Sequence, residues 1–138
     1  MNEKIFKERT KTLGICVIQL LGELPKTRTS DVISRQLLRS ATSIGANYRA
    51  ACRGKSTADV IAKLGIVEEE ADESIYWLEL LMECHIVPAA RVTWLLSELN
   101  EIIAMTVASV KTLRARTNPK SKIQNLKSVA SRADRALQ

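Results

Sequence analysis

Four groups of residues in this chain have types and spacings from which chemistry can be built. The first is Gly54-Lys55-Ser56, the triplet that closes the phosphate-binding loop of many nucleotide hydrolases. That loop needs a glycine, four residues, then Gly-Lys-Ser/Thr, with a strand before it. Position 49 is Arg49, and the preceding segment has helical periodicity, so nucleotide hydrolysis is excluded. The second group is Cys84-His85. Adjacent residues on a helix point about 100° apart, which makes a poor nucleophile–base pair. His85, the one histidine, reads instead as a capping or surface residue near a helix end.

The third group is acidic: Glu68-Glu69-Glu70 with Asp72 and Glu73. Di-iron helical bundles use Glu-x-x-His pairs. Here Glu73 follows Glu70 at that interval, so the cluster reads as a solvated or subunit-contacting face, with no metal and no other cofactor expected. The fourth group is a row of cations. Arg35, Arg39, Thr42, Ala46, Arg49 and Arg53 step by four and three, one stripe of a helix, and Lys55 follows in the next turn. Such a row can track a phosphate backbone. No aromatic residue interleaves with it, so base stacking is not indicated. The competing use of these arginines is pairing with the acidic segment that follows, within or between subunits, and at least two of the four are expected to be used that way.

The elements that carry these groups are helical. Residues 3–24 set Phe6, Leu13, Val17, Leu20 and Leu24 near one face, interrupted at Arg9 and Thr10, and Pro25 stops the run. Thr29 or Ser30 is placed to cap the next helix, which extends to about Arg53. Its second stripe, Leu37, Ala41, Ile44, Tyr48 and Ala51, is apolar, and Gly45 in its middle implies close approach of a neighbouring helix. Gly54 is expected in a left-handed conformation ending that helix. Ser56 is expected to cap the third helix, with Asp59 completing a capping box. Residues 57–86 carry Val60, Leu64, Val67, Ala71, Ile75, Leu78 and Met82 in heptad-like rhythm. Pro88 opens a fourth helix with an apolar face from Val92 to Leu113. After Asn118-Pro119, Ile123, Leu126, Ala130, Ala133 and Leu137 have the spacing of a short amphipathic helix, too short to be stable alone.

Composition agrees. The chain has 138 residues, the length of one domain, is 46% hydrophobic and only 4% aromatic, and has few glycines and prolines, which disfavours a β-sandwich or barrel. Charge is unevenly distributed. Residues 1–114 hold 15 Lys/Arg against 14 Asp/Glu, whereas residues 115–138 hold 6 against 1. Residues 28–55 carry a net +5 and residues 56–86 a net −7, so the second and third helices should pack together or meet across a subunit boundary. The three cysteines, Cys16, Cys52 and Cys84, form no C-x-x-C pair, and no apolar run approaches the roughly 18 residues of a membrane span. A cytoplasmic location with reduced thiols is expected.

The run "LLRSATSIGANYRAACRGKSTADVIAKLGIVEEEADESIYWLELL", residues 37–81, resembles the four-helix-bundle proteins encoded in intervening sequences of bacterial 23S ribosomal RNA genes. The resemblance lies in "SIGANYRAA", the "RGKS" turn and "EADESIYWLELL". It implies a small antiparallel bundle that assembles as a homopentamer. A related branch, the accessory variability determinant of diversity-generating retroelements, partners a reverse transcriptase and binds nucleic acid through basic surfaces. Members commonly place Glu where this chain has Ala50, so an ion pair built on that carboxylate is missing here.

These readings give an all-α, antiparallel up-down four-helix bundle over residues 1–114, with a basic tail over residues 115–138. The expected activity is non-enzymatic, sequence-independent binding of RNA or DNA. Arg35, Arg39, Arg49, Arg53 and Lys55 would contact phosphates, joined by Lys120, Lys122, Lys127, Arg132 and Arg135 from the tail. Tyr76 and Trp77, with Glu69 and Glu73 beside them, are the expected contacts between copies. The alternative is a scaffold for a reverse transcriptase or another enzyme, without nucleic-acid contact.

Overall fold

The computed structural model describes residues 2–117, which form four helices and no strand. They are α1 (Glu3–Gly22), α2 (Arg28–Cys52), α3 (Thr57–Glu83) and α4 (Ala89–Thr117). Neighbours in sequence pack side by side, most extensively α2 with α3, and α4 closes the ring against α1 through the sparsest seam. α4 runs three residues past the boundary expected at residue 114.

Local chemistry sets the helix ends. Asn2 caps α1, its side-chain oxygen accepting from the Ile5 amide at 3.1 Å. α2 starts earlier than its sequence signals suggested. Thr27 is the cap, accepting from the Ser30 amide at 3.1 Å, and Ser30 is buried inside the first turn. Ser56 caps α3 as expected. Asp59 is not the second half of a capping box, because its carboxylate accepts from the Lys55 amide, one residue outside the cap.

The two short turns exchange the roles their residues advertise. Gly54 has no positive φ, contrary to expectation. It is needed for space, since a Cβ there would collide with Val60 Cγ2 and crowd the Ala51 carbonyl. The left-handed residue is His85, with φ 58°. Around it the Ile86 amide donates to Leu81 O at 2.9 Å and the His85 amide to Met82 O at 3.0 Å. That pair of bonds is the Schellman arrangement, with histidine where glycine is preferred.

The core is the expected one with polar additions. Phe6, Leu13, Leu37, Ile44, Leu78, Leu99 and Ile102 are fully enclosed. Tyr48 meets Phe6 edge-on, ring centroids 4.4 Å apart. Gly45 lies against Thr10, so the helical glycine does mark a close crossing of α1 and α2. In α3 the inner positions include Ser74 and Leu81, while Ile75 and Met82 are only partly covered. The buried Ser40 and Ser74 hydroxyls satisfy each other at 2.8 Å across the α2–α3 seam.

Candidate nucleic-acid interface

The cationic stripe of α2 is solvent-facing along its whole length, because Leu37, Ala41, Ile44, Tyr48 and Ala51 turn the opposite face into the core. Its members are in different situations. Arg35 pairs within its own helix with Asp31, at 2.7 Å, both side chains largely in water. Arg39 reaches α3 and forks between Glu70, at 3.2 Å, and Glu73. The Arg39 hydrogen bond holds the Glu73 carboxyl below the usual carboxylate range, and the Trp77 indole N–H, donating at 3.2 Å, acts in the same direction. Arg49, Arg53 and Lys55 are exposed and have no ion-pair partner among the described residues. Within the chain one of the four, Arg39, bridges to α3.

The bundle gathers further cations around the free ones. α1 and α2 are antiparallel, so Lys7 and Lys11 line the same groove as Arg49, about 440 Å³ in volume and floored by Gly45 and Ala46. Lys4, Lys7 and Lys11 step by three and four, a second cationic stripe that the sequence carries apart from the arginine row. The C-terminus of α4, carrying Lys111, Arg114 and Arg116, ends at this same pole. Residues 2–11, 45–67 and 103–117 make up that half of the bundle and hold 11 basic against 3 acidic residues, a net of +8. Residues 12–44 and 68–102 hold 5 against 11, a net of −6. The bundle is electrically polar along its axis.

The aromatic surface lies in the acidic half. Tyr76 and Trp94 are each about half exposed, at 55% and 50%. Trp77 is tied to Glu73 and packs partly into the core, so of the four expected contact residues Tyr76 and Glu69 are the open ones. On the opposite side, Arg9 of α1 forks between Glu98 and Glu101 of α4, with Glu98 almost fully buried. This second Arg/Glu-x-x-Glu clamp went unread in the sequence, where Glu98 looks like a surface residue.

Groups that could do covalent or metal chemistry are scattered or quiet. The three cysteines are free thiols, and Cys84 is exposed at the end of α3. Burial pushes the Cys52 thiol up, and burial with the Cys52 contact pushes the Tyr48 hydroxyl up, so both are protonated at neutral pH. Among the described residues no three His, Cys, Asp or Glu side chains converge as metal ligands. None of the described helices is long and apolar enough to cross a membrane. Lys120, Lys122, Lys127, Arg132 and Arg135 lie outside the described residues.

Residues 3–108 match the family model of the 23S rRNA-intervening sequence protein. The chain belongs to that family. A crystal structure of a protein of unknown function from the S23 ribosomal protein family, from Bacteroides thetaiotaomicron, is 33% identical and superposes with a TM-score of 0.75. The match covers 80% of this chain and 99% of that one. No functionally curated protein matches the chain. The family match ends at residue 108, so the last turns of α4 and the basic tail lie beyond it.

Proposed function

We propose that this protein binds nucleic acid without sequence preference, phosphates docking on the basic pole of a self-associating bundle. The observation that carries the reading is the net charge of +8 on one half of the bundle, with Arg49, Arg53 and Lys55 exposed and unpaired among the described residues. Guanidinium and ammonium groups on a helix face form charge-assisted bonds to phosphate oxygens. Their binding energy comes largely from counterion release. Among the described residues Tyr76 lies in the opposite half and Trp94 beside Arg9 on the α1–α4 seam, so no exposed aromatic joins Arg49, Arg53 and Lys55 as a stacking platform and the contacts carry no sequence information. The sequence beyond α4, whose C-terminus is at this pole, carries Lys120, Lys122, Lys127, Arg132 and Arg135, which are proposed to add phosphate contacts.

Tyr76, Trp94 and Glu69 are proposed to meet another copy, which in a closed ring would repeat the basic pole by symmetry. A pentamer and a retroelement role beside a reverse transcriptase follow from the family resemblance and belong to this proposal. The test is binding of a labelled structured RNA across a salt series, for the full chain and for residues 1–117, with mass measured by light scattering in the same samples. Affinity should fall linearly in log–log form as salt rises, and fall further without the tail. Absence of binding at low salt would leave a protein scaffold as the function and the arginine row as structural.

A further inference from the structure

At the basic pole the bundle lacks one wall. α1 starts at its Asn2 cap, and its first core residue, Phe6, meets Tyr48. Arg9 of α1 touches Met105 of α4, and from there α4 runs about 18 Å further toward the pole, to Thr117, whereas α1 runs about 9 Å, to Glu3. The result is a cleft of about 550 Å³ over the α3 residues Val60 and Leu64, walled by Tyr48 and Cys52 of α2 and by Ala108 and Leu113 of α4. Arg116 stands at its rim. The cleft is lined mainly by carbon, and Val60, Cys52 and Leu113 are only partly covered.

The chain leaves α4 at Thr117, one residue past that rim, with 21 residues still to run. Five of them, Ile123, Leu126, Ala130, Ala133 and Leu137, have the spacing of one helical stripe. A helix of this length needs a surface to form on. The six residue steps from Thr117 to Ile123 reach about 20 Å when extended, enough for a reversal at Asn118-Pro119. A helix over residues 123–137 spans about 21 Å, against about 16 Å for the stretch of α4 from Met105 to Arg116 that walls the cleft. Attachment next to the cleft gives the tail a high effective concentration there, which a separate chain would have to match.

We propose that the tail of this chain folds back and seats Ile123, Leu126, Ala130, Ala133 and Leu137 in the cleft, completing the missing wall of the bundle. Lys120, Lys122, Lys127, Arg132 and Arg135 then face water beside Arg53, Lys55 and Arg116. Like charges at this pole oppose docking, but they are exposed and screened within about 10 Å at 0.1 M salt. Apolar burial opposes them and is not weakened by salt. Docking therefore strengthens as salt rises, the reverse of phosphate binding, so this inference and the nucleic-acid reading fail on different evidence.

The test is amide hydrogen exchange of the full chain without nucleic acid, at low and high salt and at two protein concentrations. It is run on the wild type, Leu126→Asp and Ala108→Lys, a change at an exposed position in the cleft wall. The expected wild-type result is protection of residues 123–137 by at least about tenfold over coil rates, rising with salt and independent of concentration. Either substitution should abolish it while the amides of α2 keep theirs. Coil-rate exchange in the wild type would overturn the proposal, as would protection that survives Ala108→Lys. Protection that disappears on dilution would assign the cleft to the tail of a second copy and overturn it as well.

Discussion

The two ends of α2 carry the same residue type on the same stripe and put it to different uses. Toward the N-terminus Arg35 and Arg39 are engaged, by Asp31 and by the Glu70–Glu73 pair. Toward the C-terminus the side chains of Arg49 and Arg53, with Lys55, form no ion pair among the described residues. The difference comes from α3. Its carboxylates are concentrated from Glu68 onward, opposite the first half of α2. Before Glu68 it holds only Asp59, already occupied by Lys63 at 3.0 Å and by the Lys55 amide. What a surface arginine is free to do is decided by the register of the helix beside it, not by its own spacing.

The strongest test of this contrast is to neutralise the free end. Replacing Arg49, Arg53 and Lys55 together by Gln should lower RNA affinity about 10- to 100-fold at low salt and reduce the salt slope by about 2–3, while urea midpoints stay within a small shift. Loss of stability without loss of binding would reverse the assignment. The engaged arginines should show the converse. Arg9→Ala strands the buried Glu98 and should cost about 2–3 kcal/mol in urea unfolding. Arg39→Ala, at a half-exposed clamp, should lower the urea midpoint less than Arg9→Ala does, with RNA affinity changed less than about twofold.

A smaller effect is expected with pH. Glu73 has its folded pKa lowered by the Arg39 hydrogen bond. Its contribution is therefore fully present above the unfolded glutamate value of about 4.3 and is lost as pH falls through the folded value. Because the pair is partly in water, the effect is modest, and Glu73→Gln should flatten that part of the stability–pH curve. Arg35→Ala should be the smallest change, within about 0.5 kcal/mol, since its intrahelical pair is open to solvent. A large loss there would mean that exposure does not rank these pairs.

The fold was legible because the apolar stripes have helical period and survive folding almost unchanged, as Leu37, Ala41, Ile44, Tyr48 and Ala51 show. Polar core residues were not legible. Ser40, Ser74 and Glu98 look like surface residues until the partner helix supplies the group that satisfies each. The turns misled for a related reason. Glycine at position 54 answers a steric demand from Val60 six residues later, and the left-handed turn falls on a histidine. For the candidate site, the arginine row could be read from spacing alone. Which members are free, and that Lys11, Lys111, Arg114 and Arg116 join them at one pole, depends on antiparallel packing, which period does not encode.

The most direct test of the central claim is lysine acylation footprinting of the full chain with and without RNA at low salt. Lys11, Lys55 and Lys111 belong to the basic pole, and Lys26 is exposed in the acidic half as an internal control. RNA should protect the first three and leave Lys26 reacting as before. Equal protection of Lys26, or protection confined to it, would contradict a phosphate-binding pole.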